Sequence, residues 1–545
     1  MSPTSHIDTF ARDNLPPQSQ WPEFRFDLPE LQYPERMNCA GVLLDDMVVS
    51  GHGGSIAIRT YEAQCTYLQL QAQANRIANA LVREMGLVPG NRVLLRGPNN
   101  PMMAACWLAV MKAGGVCVGT MPLLRAKELT DIVTKAQVSL ALCDTRLSAE
   151  LEAALPGCPT LQAVRYWSDG SSNSLDTLIE RQSIEFENVD TAADDVALIA
   201  FTSGTTGKPK GTMHFHRDVI AMCDCFPRSC LKPVADDVFV GTPPLAFTFG
   251  LGGLLCFPMR FGASTVLLEK LTPEALLDAI GHFKATIVFT APIMYRAMAT
   301  LLKEQGRKYD IGSLAKCVSA GEALPDATRQ LFKQASRIEI IDGIGATEMI
   351  HIFISHTPRR VKRGATGYAL PGYTATVLDE NGKPCAPGKV GRLAVKGPTG
   401  CRYLADERQK DYVQNGWNLT GDAYVMDEDG YFFYQARTDD MIISAGYNIA
   451  GPEVEDALLA HPAVAECAVV GWPDEERGTI VKAFVVVRPG NEKGAALASE
   501  LQEHVKRSIA PYKYPRAIEF VDALPRTDTG KLQRFRLKQA TGARP

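Results

Sequence analysis

Phe201-Thr202-Ser203-Gly204-Thr205-Thr206-Gly207-Lys208-Pro209-Lys210-Gly211 follows directly on the apolar run Val196-Ala197-Leu198-Ile199-Ala200. Glycines here let backbone N–H groups approach phosphate oxygens, four hydroxyls add donors, and two lysines add positive charge, so the segment suits a polyphosphate. It is not a Walker A loop, because Gly204 and Gly207 enclose two residues instead of four and Pro209 follows Lys208. The GxGxxG dinucleotide spacing is absent as well. A solvated Gly/Ser/Thr linker is the bland alternative. The apolar strand running straight into the segment, and the proline stiffening it, speak against that reading.

Working outward, a chain of 545 residues is too long for one ordinary core, so two or more domains are expected. Hydrophobic residues make up 46% and charged residues 22%, the balance of a globular protein. A formal net charge of −4 argues against nucleic acid as the main partner. Fourteen cysteines without a framework read as reduced thiols. There is no apolar run of membrane-spanning length and no basic-then-apolar leader, so a soluble cytoplasmic protein without membrane partners is expected. His214, His216, Cys223, Cys225 and Cys230 lie close together, but their spacing matches no paired zinc-ligand pattern and reads as a strand or loop followed by a helix.

Thr66 is placed to cap a helix through about Met85, with Leu68, Ala72, Ile77 and Leu81 on its apolar face. A second helix is expected from about Pro101 to Lys112, ended by Gly114-Gly115. Apolar runs at 93–95, 116–118, 237–240, 286–289, 317–319 and 338–341 alternate with helix-length segments. That is an α/β pattern with mainly parallel sheets. Ligands bind at the carboxyl ends of such strands, where the loops Thr202–Gly211, 320–322 and 343–348 should meet. From about Val377 the texture becomes short strands and turns, a small β-rich subdomain spanning 377–438. A compact α+β tail follows. The expected architecture is a large N-terminal domain (1–438) of mainly parallel sheets with helices, and a small mobile α+β C-terminal domain (439–545), jointed near Thr438-Asp439-Asp440.

FTSGTTGKPKG resembles the phosphate-loop signature of the adenylate-forming superfamily of acyl- and aryl-CoA ligases, luciferases and peptide-synthetase adenylation domains. Gly345-Ala346-Thr347-Glu348 resembles the same family's G-x-T-E motif, Thr420-Gly421-Asp422 its ribose-binding segment, and Tyr434–Asp440 its hinge. Ser444–Ile449 resembles the segment lining its pantetheine tunnel, and Pro525–Lys531 its C-terminal lysine motif. The resemblance implies that Thr202, Ser203, Gly204, Thr205, Thr206, Gly207, Lys208, Gly321, Glu322, Ala323, Asp342, Ile344, Asp422 and Arg437 bind ATP or AMP. Ile344 stands where the commonest form of the family carries an aromatic. Thr205 and Glu348 are implied as Mg²⁺ ligands, in keeping with Mg²⁺ being held by few carboxylates plus phosphates. Lys210, Thr347, Glu348 and Lys531 are implied as catalytic, Asp439 as the hinge, and Gly446 and Tyr447 as CoA-binding. Lys531 would offset charge developing at the α-phosphorus. Its acetylation is expected to stop adenylation and spare thioester formation.

The acid-binding positions implied are Phe247, Phe249, Tyr295, Ala320, Gly343, Gly345, Ile350 and His351. Aromatics with glycine and alanine make a short flat slot suited to an aryl ring. The stretch 342–353 resembles benzoate-type CoA ligases, and residues 13–17, 33–38 and 211–216 resemble 2-aminobenzoate–CoA ligases. His351 is either a partner for an ortho substituent or a satisfied histidine at the slot's edge. The expected activity is an ATP-, Mg²⁺- and CoA-dependent aryl-CoA ligase acting through an aryl-adenylate, with 2-aminobenzoate as its acid, as a monomer or homodimer. Benzoate or hydroxybenzoate as the acid, loading of a separate carrier protein, and a catalytically inactive nucleotide-binding regulator are the alternatives.

Overall fold

The computed structural model describes residues 2–202, 209–305, 308–321, 324, 326–437, 442–444, 446–449, 451–474, 477–525 and 534–539. Thr66 does cap a helix. Its side chain accepts from the Gln69 N–H while the Gln69 side chain accepts from the Thr66 N–H, and the helix runs Tyr67–Arg83. The expected apolar face is wrong in part. Leu68 is 55% exposed, and the buried stripe is Leu70, Ala74, Ile77, Ala78 and Leu81. Leu68, in the first turn after the Thr66 cap, turns to solvent, so Leu70 and Ala74 take the inward places of Leu68 and Ala72 while Ile77 and Leu81 stay on the buried face. The neighbouring helix Pro101–Lys112 starts on a proline whose missing N–H costs nothing there, with Asn100 accepting from the Met103 N–H.

Two large sheets form the N-terminal body. One orders its strands Ala163–Trp167, Leu140–Asp144, Arg92–Arg96, Val116–Thr120, Val196–Thr202 and Lys210–Phe215, parallel except for the last pair. The other carries a parallel run: Ile56–Arg59, Ser264–Val266, Val238–Gly241, Ile287–Thr290, Lys316–Ser319 and Ile340–Gly345. The last strand starts later than 338 and extends through Gly343–Gly345, so these glycines are strand and not loop. They pair antiparallel with Ile352–Ser355, and a Cβ on Gly345 would come within 2.8 Å of the His351 carbonyl oxygen. Glycine is needed there for close backbone approach.

A twisted antiparallel sheet follows, built on Thr374–Leu378, Val390–Lys396, Trp417–Met426 and Phe432–Arg437. It is the β-rich unit, beginning three residues earlier than expected. Beyond it, Val464–Asp474, Gly478–Val487 and Ala517–Phe520 make a small sheet covered by the helices Gly451–Leu459 and Ala495–Ser508. All fourteen cysteines are free thiols, and among the described residues no cluster of His, Cys, Asp and Glu could hold a metal ion. His214 and His216 are the end of a strand and the start of a helix. Among the described residues no helix is long and apolar enough to cross a membrane.

Candidate active site

The carboxyl ends of parallel strands from both large sheets meet at one cavity of about 360 Å³. Met121, Thr202, Thr242, Ala291, Ala320 and Gly343 mark those strand ends. Aromatic and small apolar residues line it together with a few hydroxyls and carboxyls, as in a pocket that orients a small organic ligand.

The lining includes Phe247, Phe249, Ala320, Gly343, Gly345, His351 and Ile352. His351 is 3% exposed, its ring enclosed by Phe257 (centroids 4.5 Å apart), Phe249 (5.6 Å), Phe226 (5.9 Å) and Phe289 (6.4 Å). Burial pushes its pKa down to about 3, only slightly opposed by the Phe249 carbonyl, so the ring is neutral at physiological pH. Its Nε2 lies 3.4 Å from that carbonyl oxygen and can only donate to it. Nδ1 is then a buried lone pair with no partner among the described residues. Such an acceptor is costly unless a bound donor satisfies it.

The polar residues Thr202, Asp342, Thr366, Asp422, Tyr424 and Tyr434 line the same cavity, together with Gly321 and Ile344. The Asp342 carboxyl is buried, and burial raises its pKa to about 7 against the opposing Arg329 guanidinium, 3.8 Å away, and the Gly343 N–H. Its Oδ1 and the Thr202 Oγ1 have no partner among the described residues. The backbone around Asp342 is fixed: its N–H donates to His356 Nε2 (3.1 Å), and its carbonyl accepts from Ser355 Oγ (2.6 Å). Asp422 sits opposite Arg437 in the strand register. Cavity-lining hydroxyls and carboxyls of this kind suit the amine donors, ribose hydroxyls and phosphates of a nucleotide.

Thr347 lines the cavity as well, its carbonyl held at 2.7 Å by His214 Nε2, which therefore donates. Glu348 is set back from it. Its Oε1 accepts from the Tyr403 hydroxyl at 2.5 Å and lies 3.8 Å from the Lys210 ammonium, which itself stands 5.1 Å over the Tyr403 ring. A carboxylate already oriented by a phenol, close to the start of the strand Lys210–Phe215, has the chemistry of a Mg²⁺ ligand.

Gly446 and Tyr447 reach the cavity from the C-terminal side, with Glu453, Tyr512 and Lys513 beside them. Two expected acid-binding residues do not reach it. Tyr295 is fully buried behind the sheet, its hydroxyl donating to the Val318 carbonyl (2.9 Å) and its ring against Phe332 (4.9 Å). Ile350 is also fully buried, in the core, held at φ +64° after the turn Thr347–Met349. Ser203, Gly204, Thr205, Thr206, Gly207, Lys208, Glu322, Ala323, Asp439 and Lys531 lie outside the described residues, as does the Arg437 side chain. Thr366 and Tyr424 are not among the residues the sequence points to, and Tyr434 enters there only as the start of the hinge stretch. Tyr424 is two residues from Asp422 on one strand, so alternation alone could have found it.

A family model described as AMP-binding enzyme matches residues 46–403, and one described as AMP-binding enzyme C-terminal domain matches residues 453–531. The chain is 36% identical over 516 residues to benzoate–CoA ligase of Thauera aromatica, an overlap of 94% of this chain and 98% of that protein. Among solved structures, the anthranilate CoA ligase AuaEII in complex with anthranoyl-AMP is 33% identical with a TM-score of 0.74, covering 94% of this chain and 99% of that one. The amide bond synthetase McbA from Marinactinospora thermotolerans is 28% identical with a TM-score of 0.83, covering 93% and 100%.

Proposed function

Since the chain belongs to the AMP-binding enzyme family, in the benzoate-type branch of the adenylate-forming enzymes, we propose that it is an ATP-dependent aryl-CoA ligase with 2-aminobenzoate as its acid. The observation that carries the reading is one cavity at the carboxyl ends of parallel strands from both large sheets, lined by the aromatic Phe247, Phe249 and His351 and by the polar Thr202, Asp342 and Asp422. The aromatic lining around His351 suits an aryl ring, and the similarity to the anthranilate CoA ligase favours 2-aminobenzoate over benzoate.

In this reading the aryl carboxylate attacks the α-phosphorus of ATP, forming the aryl-adenylate and releasing pyrophosphate. Thr202 and the segment 203–208 hold the phosphates, and Asp342, Ile344, Asp422 and Arg437 hold the nucleoside. Mg²⁺, held by Glu348 and Thr205, would screen the phosphate charge. Lys210 and Lys531 stabilise the developing negative charge, and Thr347 orients the α-phosphate. Residues 439–545 then turn about Asp439, and the CoA thiol enters past Gly446 and Tyr447. Thiol attack on the acyl carbon breaks the mixed anhydride; the thioester forms and AMP leaves.

A second reading takes an amine as acyl acceptor, favoured by the similarity to the amide bond synthetase. Purified protein given 2-aminobenzoate, ATP, Mg²⁺ and either CoA or simple amines tests both. The ligase reading requires a thioester formed with AMP in equal amount; an amide formed in preference to the thioester supports the second.

A further inference from the structure

Lys513 sits in a one-turn element, Pro511–Lys513, and is 3% exposed. Its ammonium donates at 2.6 Å to Glu453 Oε1 on the helix Gly451–Leu459, and at 2.6 Å to Glu128 Oε1 on the helix Ala126–Ala136 of the N-terminal body. The first bond stays within the C-terminal unit, whereas the second joins residues 385 positions apart. The Ala510 N–H adds a weaker bond to the same Glu128 oxygen (3.3 Å), and the Arg125 guanidinium donates to the Lys506 carbonyl (3.3 Å). The other Glu128 oxygen accepts from the Arg125 N–H at the start of its own helix, which fixes the carboxylate in place.

The residue before Lys513 ties this contact to the cavity. Tyr512 stacks on Tyr447, ring centroids 4.2 Å apart at 28°, and Tyr447 lines the cavity next to Gly446. One short element therefore grips the N-terminal body with its lysine and supports the cavity-lining loop with its tyrosine. Buried ion pairs add little net stability, since desolvation consumes most of the Coulombic gain. Their geometry is nonetheless demanding, because a partner withdrawn without replacement leaves a charge buried alone. A contact of this kind selects one arrangement of two bodies over others in which Glu128 and Lys513 are each hydrated.

We propose that Glu128 and Lys513 form a cross-domain clamp that positions the Gly446–Tyr447 loop for transfer of the acyl group to the thiol, and that the clamp is not used in adenylate formation. Both are positioning residues. The proposal rests on the aryl-CoA ligase reading for the chemistry of the two steps.

The test separates the half-reactions. Acid-dependent pyrophosphate release without CoA reports adenylation, and CoA added to preformed aryl-adenylate on the enzyme reports thiol transfer. Glu128→Gln keeps the acceptor that caps its helix and removes the charge, and cannot unfold the C-terminal unit. Lys513→Met removes the other partner. Each is expected to slow thiol transfer by about tenfold or more while adenylation stays within about twofold. The double variant is expected to be no slower than Lys513→Met alone, because the contact that Glu128→Gln weakens is already lost once the Lys513 ammonium is removed. Hydrogen exchange gives a readout that needs no CoA: the backbones at 126–136 and 446–449 should lose protection together in each variant. Equal loss of both half-reactions, or unchanged thiol transfer, overturns the clamp. If wild-type protein transfers nothing to CoA, the ligase reading fails, and the exchange result alone decides: unchanged protection in both segments overturns the clamp.

Discussion

Gly252→Ala is a single methyl aimed at the aryl slot from behind. A Cβ at Gly252 would lie 2.4 Å from His351 Cδ2, 2.8 Å from Nε2 and 3.1 Å from Phe257. Ordinary contact begins near 3.4 Å, so the ring must shift by about 1 Å. Phe226, Phe257 and Phe289 close the other sides, which leaves the cavity as the open direction. Overpacking should cost about 1–3 kcal/mol, partly offset by the roughly 0.5–1 kcal/mol that alanine gains over glycine in a helix. The melting temperature should therefore change little. Displacement of the ring by about 1 Å should lower kcat/KM for the aryl acid by about 10- to 100-fold and leave the KM for ATP within about twofold. Adding His351→Ala removes the clash, so the double variant should match His351→Ala alone. Steady-state kinetics varying acid and ATP separately, with a thermal melt of each protein, give the answer. Unchanged acid kinetics in a folded Gly252→Ala protein would refute the assignment of His351 to the acid site.

The Asp342 pKa of about 7 stands above its ordinary 3.8, so the folded protein holds an extra proton between those values. The stability this group contributes is present below pH 3.8 and is lost as pH rises through about 7, so Asp342→Asn should lose less stability than wild type over that window in denaturant titrations. Arg402→Met should destabilise by about 3–5 kcal/mol, because the Asp218 carboxylate it pairs with is also fully buried; Asp218→Asn in the same chain should recover part of the loss in a melt. His351, already neutral, should give no break near pH 6.5 in the KM of the acid, and a break abolished by His351→Ala would contradict its burial. Lys531→Ala should abolish pyrophosphate release while thiol transfer from supplied aryl-adenylate persists, measured in single turnover.

What the sequence made legible depended on whether one short stretch carried the information. The parallel strands and their carboxyl-end loops were readable because each apolar run was bounded by polar-glycine segments, and Thr202, Ala320, Gly343 and Asp422 do meet at one cavity. Leu68 was misassigned because residues 68, 72, 77 and 81 fit a helical stripe nearly as well as 70, 74, 77 and 81, and only packing against Pro101–Lys112 selects between them. Tyr295 was misplaced because it lies on the helix Pro292–Gln305, and sequence does not say which helix face turns to the cavity; here its hydroxyl donates to the Val318 carbonyl. Glu128 and Lys513 were illegible, as a glutamate on a helix and a lysine after a tyrosine are ordinary surface residues until tertiary structure buries both. The aromatic ring of His351 could be flagged from sequence, but its neutrality follows from four phenylalanines that come together only in the fold.

The most direct test of the central claim is mass identification of the product from purified protein, ATP, Mg²⁺, CoA and 2-aminobenzoate, with benzoate, 4-hydroxybenzoate and hexanoate in parallel. The account predicts 2-aminobenzoyl-CoA with stoichiometric AMP, a lower rate with benzoate, and none with hexanoate. A thioester from hexanoate at a comparable rate, or AMP release with no thioester from any aryl acid, would contradict it.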